Sequence, residues 1–296
     1  MPLAPKIAIN PLPWLLGPDG FDLSRETVQA AAAAMADAGF EAIQADVPPE
    51  MSSTDYRALL DDYGLEPAPG YFAAHFEGAA DEVSALLEQA KRHAAMQLEL
   101  GLTEVFLASH VNETRRAAPA VGAGFDAGRL DTIIERLGSA AETIRAMGLR
   151  PCLHPHVGSW IETGEEIRAV LESIDASVLA FGPDVGHLFW AGVDPAEIIA
   201  AYAGRVGAVH LKDVHRDIAE RTRADGDDYA TATYVHHVWS EPGRGDVDFD
   251  AVFAALPTDY RGWFVIEVDV PDLPTKEEST AEAARWVAGE RERFAA

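Results

Sequence analysis

The stretch "CLHPHVGSW" (152–160) sets two histidines one residue apart, directly after the apolar start of a run at 150–153. Side chains along a strand alternate between its faces, so His154 and His156 project to the same side. Three more polar residues punctuate apolar runs in a similar way. Asp184 follows "SVLAFGP", His210 sits in "AVHLKD", and Glu267 lies in "GWFVIEVD". Taken one at a time, each has a plain structural explanation: a core imidazole, a turn former ahead of Gly186, a strand cap. A carboxylate inside "WFVIEV" is the oddest, because an unpaired buried charge is costly. As a set, imidazole nitrogens and carboxylate oxygens are the donors that divalent metals accept. Imidazoles also titrate near neutrality and suit proton transfer.

The elements that carry these residues alternate. Short apolar runs read as strands at 6–10, 41–46, 66–72, 104–109, 150–156, 177–184, 206–213 and 262–269. A helical period follows each, as in Val83, Leu86, Leu87, Ala90 and Ala94, or Leu130, Ile133, Ile134, Leu137, Ala141 and Ile144. Thr163-x-x-Glu166 and Thr275-x-x-Glu278 read as capping boxes, and Gly39, Gly64, Gly101 and Gly148 stand where helices end. Eight alternating units over 296 residues predict an α/β fold, a (β/α)8 TIM barrel, with a doubly wound sheet as the alternative. Without a linker or low-complexity tract, the expectation is one domain spanning 1–296 with a long loop after strand seven, about 214–244. In such a barrel the site lies at the C-terminal strand ends. Strands five to eight deliver His154 and His156, Asp184, His210 and Glu267 to that rim.

Composition narrows the partners. Asp and Glu outnumber Lys and Arg by 49 to 23, a formal charge of −26. Such a surface repels nucleic acid and anionic lipid. No run reaches the ~18 apolar residues of a membrane span, "MPLAPKIAIN" lacks a secretory pattern, and Cys152 is the sole cysteine. A cytoplasmic protein without membrane or nucleic-acid partners is expected.

Six motifs in order carry a resemblance: "GLEPAPGYF" (64–72), "HPHVGSWIET" (154–163), "DVGHLFWAGVDP" (184–195), "VHLKDV" (209–214), "EPGRGDVDF" (241–249) and "GWFVIEVDVP" (262–271). The chain resembles the sugar-phosphate isomerase/epimerase-like superfamily of xylose isomerase-type TIM barrels, and within it the inosose dehydratase branch. The resemblance implies a divalent metal (Mn, Co, Mg or Zn) on Asp184, His210 and Glu267, with His154 where most of the superfamily has a strand-five Glu. It implies a substrate contact for His187, three after the Asp ligand, and places Arg216 where epimerases often bind substrate. It also implies a homo-oligomer acting on a sugar or cyclitol.

The shared chemistry is loss of an α-proton beside a metal-polarised ketone. Epimerisation needs carriers on both faces of the carbon, and the strand-five carboxylate is absent here. Elimination suits a base and an acid, for which His156 and His187 are available beside Glu267. The leading expectation is a metal-dependent lyase removing water from a keto-inositol or related keto-sugar through an enediolate. Alternatives are a metal-dependent epimerase or isomerase of a ketose, and a sugar-binding barrel without catalysis. Substrate contacts are expected from Trp14, Tyr71, Glu162, Lys212 and Arg216, with Glu41 and Asp46 as further strand-end candidates. Glu162 has the alternative of merely preceding the Thr163 cap. The segment 214–244 is expected to be a solvated excursion, or a lid or subunit contact through Tyr234, His236, His237 and Trp239.

Overall fold

A computed structural model describes residues 5–17 and 20–295. Eight parallel strands form the barrel: β1 (Lys6–Ile9), β2 (Ala42–Gln44), β3 in two pieces (Glu66–Ala68 and Tyr71–Ala74), β4 (Glu104–Ser109), β5 (Arg150–Leu153), β6 (Ala180–Phe181), β7 (Ala208–Leu211) and β8 (Trp263–Ile266). Neighbours pair in sequence order, and β8 pairs with both β7 and β1. Across the β6–β7 seam the ladder thins to two bridges, Phe181 with Val206 and Asp184 with His210. The second bridge sets the two chemical side chains next to each other.

β3 is split where the sequence reads "APGY". Its first piece pairs with β2 and its second with β4. Gly70 makes the bend: its N–H donates to Gln97 Oε1 at 3.0 Å, and a Cβ there would lie 2.6 Å from the Ala45 carbonyl oxygen. Gly39, Gly64, Gly101 and Gly148 all adopt positive φ, the left-handed geometry that ends helices cheaply on glycine.

The barrel interior is filled by Ala8, Ala42, Ala68, Phe106, Cys152, Ala180, Ala208, Trp263 and Val265. Alanines from several strands leave room for the few large rings, a packed core rather than a pore. Phe106 tops this layer and meets His210 edge-on at 4.1 Å between ring centroids. It is the apolar floor beneath the polar rim. Outside, helix Lys276–Ala295 buries Ala283 and Val287, and its Trp286 packs on Phe249. Among the described residues no helix is long and apolar enough to cross a membrane.

The stretch after β7 is ordered rather than an irregular excursion. Helix Arg216–Asp225 is followed by a π-helical turn at Thr231–Val235, and Trp239–Ser240 pairs antiparallel with Asp213–Val214. A buried Asp213 carboxylate anchors its return by accepting from the N–H groups of Gly243, Gly245 and Val247.

Candidate metal and polyol site

Asp184 shows how local structure prepares a ligand. It caps the short helix Val185–Trp190, and its Oδ1 accepts from Gly186 N–H and His187 N–H at 2.9 and 3.0 Å. With Oδ1 fixed by an N-cap, Oδ2 faces the barrel axis. His154 Nε2 lies 3.8 Å from it, His210 Nδ1 3.7 Å and Lys212 Nζ 3.1 Å. Glu267 Oε2 pairs closely with His210 Nδ1. All four candidate ligands are buried.

These atoms suit a metal on two counts. First, among the described residues Asp184 Oδ2, His154 Nδ1 and His210 Nε2 are buried without a hydrogen-bond partner, and Glu267 Oε2 and His210 Nδ1 have only each other. Buried polar atoms are normally satisfied, so a cluster left unsatisfied implies a further bound species. Second, three carboxylates (Asp184, Glu267, Asp269) surround the single ammonium of Lys212. With His210 neutral, as a metal-ligating imidazole must be, that leaves two negative charges in excess, the charge a divalent cation neutralises. One atom from each of His154, Asp184 and His210 lies within 4.8 Å of the others, and ligand atoms about 2.0–2.2 Å from one ion sit ~3–4 Å apart.

The field of the cluster appears in its protonation. Burial would raise Glu267, but Lys212 and His210 outweigh it and hold its carboxyl at about 2. Burial opposes a charged His210, yet Glu267 and Asp184 lift it to about 9. Burial, reinforced by Lys212, lowers His156 to about 4, and burial with His156 and Lys212 depresses His187 well below the usual imidazole range.

The residues expected from sequence divide into two groups. His154, Asp184, His210, Glu267, His156, His187, Lys212 and Tyr71 come together. Tyr71 stands edge-on to His154 at 5.0 Å, and the His156 and His187 rings are 3.8 Å apart. Lys212 is central, its stem passing beside Gly186, where a Cβ would lie 2.7 Å from Lys212 Cγ. Three others stand apart. Trp14, half-buried, carries Lys276 Nζ 4.1 Å above its ring. The Arg216 guanidinium lies over Phe189 at 4.4 Å and reaches the Asp246 carbonyl, on the outer face of the barrel. Glu162 has both oxygens engaged: Oε1 by Arg115 and Gly122 N–H, Oε2 by Ala120 N–H and Gly158 N–H. Its carboxylate braces loops instead of facing the cluster.

Two participants escaped the sequence reading, and a third was read in another role. Asp269 holds Lys212 Nζ at 2.6 Å and accepts from Tyr229 Oη at 3.2 Å. Its signal was available, since it lies two residues after Glu267 on an extended run. Tyr229 offered no such signal. Trp239, named for a lid, is fully buried, 5.0 Å from the His187 ring with Lys212 Nζ 4.8 Å from its own. Tyr234 is exposed at the rim.

Comparison with known proteins places this geometry. The chain is 27% identical over 269 residues to the inosose dehydratase of Geobacillus kaustophilus (strain HTA426), covering 89% of this chain and 87% of that one. It is 28% identical over 275 residues to the rhizopine catabolism protein MocC of Rhizobium meliloti, covering 89% and 81%. Among solved structures, a xylose isomerase-like TIM barrel protein from Mycobacterium smegmatis in complex with magnesium superposes with a TM-score of 0.72 at 19% identity, over 99% of this chain and 98% of that one. D-allulose 3-epimerase from Methylomonas sp. in complex with D-allulose gives 0.68 at 19% identity, over 98% of each. Residues 32–289 match the family described as xylose isomerase-like TIM barrel. With a family match over most of its length and a barrel that closes in the same way, the chain belongs to the xylose isomerase-like TIM barrels.

Proposed function

We propose that this enzyme removes water from a keto-inositol or a closely related keto-sugar, with a divalent cation held by His154, Asp184, His210 and Glu267. The observation that carries this reading is the end of β5. It presents imidazoles, His154 toward the ligand cluster and His156 beside His187. The next carboxylate along the chain, Glu162, is engaged by Arg115 and three backbone N–H groups. A second carboxylate facing Glu267 from β5, which two-sided proton exchange would use, is therefore missing. The end-to-end likeness to proteins named inosose dehydratase and MocC supports the same class.

When bound, the cation would act as a Lewis acid on a substrate carbonyl and its adjacent hydroxyl. The protein's own groups do the rest. Glu267, ionised, and Lys212 fix the charge balance around the substrate oxygens. Phe106 and Tyr71 wall the cluster with apolar surface, which strengthens every electrostatic contact inside. His156 and His187 handle the protons of the enediolate and of the departing hydroxyl. A cavity of about 540 Å³ lies beside Asp269, lined also by Pro13, Leu16, Tyr234, Val270 and Pro271. Elemental analysis should find one divalent ion per chain in active protein; full activity in chelator-treated, metal-free protein overturns the ligand assignment. Incubation with keto-inositols in D₂O should give a product one water lighter than the substrate. A product of unchanged composition carrying one deuterium would replace the dehydratase by an epimerase.

A further inference from the structure

The candidate ligands stand at the ends of β5 to β8, and the other half of the rim carries a polar pair of its own. β2 lies four strands from β6 in either direction around the barrel, so its end faces Asp184. Ala42 of β2 belongs to the barrel interior, whereas Ile43 and Ala45 pack in the outer core. Side chains of an extended chain alternate, so Gln44 and Asp46 continue the inward face of Ala42 and stand above it. Gln44 Nε2 donates to Asp46 Oδ2 at 3.4 Å, as two side chains on one face can. Glu267 and His210 are near enough for their charges to act on the Asp46 carboxyl.

Neither side chain is needed to hold the strand. From helix Ser53–Asp62, the Tyr56 hydroxyl accepts from Asp46 N–H at 3.3 Å and donates to the Gln44 carbonyl at 3.4 Å. Ala45 N–H donates to the Ala68 carbonyl at 3.0 Å and continues the ladder to β3. The backbone is thus satisfied from outside the barrel, and the two side chains are left for another task. Gln44 is 3% exposed, and its Oε1 is buried with no hydrogen-bond partner among the described residues. Among those residues, Gln44 is also the one side chain that hydrogen-bonds the Asp46 carboxyl. Buried acceptors are normally satisfied. An amide oxygen beside a carboxyl, on the inward face of a sugar-sized site, calls for O–H donors, which a polyol has in number.

We propose that Gln44 and Asp46 are specificity-determining residues that accept hydrogen bonds from the hydroxyls on the ring carbons farthest from the substrate ketone. The proposal deepens the dehydratase reading above and rests on it for the orientation of the substrate. β5 to β8 take the ketone and its adjacent hydroxyl, and β2 takes the far end of the ring. A cyclic ketone with a hydroxyl para to its carbonyl engages both ends at once. A ring without hydroxyls at its far end leaves Gln44 Oε1 and the Asp46 carboxyl unpaired, and such stranded acceptors cost affinity. The pair exchanges no proton with the substrate and forms no covalent bond to it. It acts on affinity and orientation, not on the chemical step.

Two substrates test this on the metal-loaded enzyme: a keto-inositol, and its analogue lacking the hydroxyl para to the ketone. The analogue keeps the ketone, the α-proton and the departing hydroxyl. Wild type should favour the full keto-inositol by ~10–100-fold in kcat/KM, the range expected when a buried acceptor is left unpaired, mainly through KM. Equal values overturn the proposal, and this comparison needs no variant. In a Gln44→Leu, Asp46→Ala double variant the preference should disappear, with each single variant in between. A merely structural role would slow both substrates alike and keep the preference, which also overturns the proposal. Calorimetry with myo-inositol, which has the hydroxyls but no ketone, reads recognition without turnover. Wild type should bind it at least about tenfold more tightly than the double variant, again the range of one unpaired acceptor. Equal affinity, or no binding by wild type, counts against the pair. Weakened binding in the variant, together with no water removed from any keto-inositol, leaves the pair standing and overturns the dehydratase reading instead.

Discussion

Two buried carboxylate clusters lie close to each other in this barrel, and they are finished to different degrees. Around Arg115, Glu162 accepts from one guanidinium nitrogen and three backbone N–H groups, and Glu166 takes Arg115 Nη2 as well as the Glu162 and Thr163 N–H groups. Around Lys212, among the described residues, Asp184 Oδ2 and His210 Nε2 have no hydrogen-bond partner, and Glu267 Oε2 and His210 Nδ1 have only their contact with each other. Both clusters are withdrawn from water and both contain a cation. Satisfaction by fixed donors marks structure, because the fold supplies the partners of both carboxylates. Leftover donor atoms with excess negative charge mark a place for something the chain does not itself contain.

That contrast can be broken by substitution. The largest effect is expected at the unfinished cluster: Asp184→Asn keeps the helix cap through its Oδ1 but loses the charge. It should weaken metal binding by ~10²-fold or more, the upper range seen when supporting residues of metal sites are removed, and abolish turnover. Titration calorimetry with Mn²⁺ or Mg²⁺ measures the first. Arg115→Ala should do the opposite, leaving the metal in place while destabilising the fold by ~3–5 kcal/mol, because it strands buried carboxylates. Urea unfolding of the metal-loaded protein checks it, and a loss of metal would show that the two clusters are coupled.

A smaller and conditional effect is expected from pH. His210 is held at about 9 by Glu267 and Asp184, above its ordinary 6.5. In metal-free protein its proton stabilises the fold fully below about 6.5, and that contribution is lost as pH rises to about 9. A cation would take over the proton's role, so the slope should vanish with bound metal. At 100 times its Kd, metal should add ~2.7 kcal/mol of its own. Thermal melts at pH 6.5 and 9, with and without metal, give both numbers. The smallest effect belongs to Arg216. Stacked on Phe189 on the outside, its replacement by Ala should change turnover by about twofold at most, as for surface positions generally.

The same contrast explains what could be read in the sequence. Strands were legible because apolar runs alternate with helical periods, and polar residues inside those runs pointed toward the rim. His154, Asp184, His210 and Glu267 are of this kind, and the barrel does bring them together. Glu162 lay in a comparable motif, but its partners come from Arg115, Ala120 and Gly122, forty or more positions away by chain in each case. Spacing within a motif carries no trace of such partners. Arg216 was placed by likeness alone, and its direction depends on how helix Arg216–Asp225 leaves the β7 end. Tyr229 and Trp239 lie in the insertion after β7, whose internal path follows no strand period. β3 read as one strand because the break at Gly70 arises from contact with Gln97 and Ala45, not from local pattern.

Gly186 gives the cluster a consequence for engineering. Its missing side chain is the channel through which the Lys212 stem reaches three carboxylates, with a notional Cβ 2.7 Å from Cγ and 2.8 Å from Cβ of that lysine. The glycine on the β6 side and the lysine on the β7 side therefore form one transplantable unit. Grafting the histidines and acids onto another barrel without this pair would deliver the donor atoms but misplace the ammonium, leaving an over-charged cluster that grips its cation too tightly to share it with a substrate.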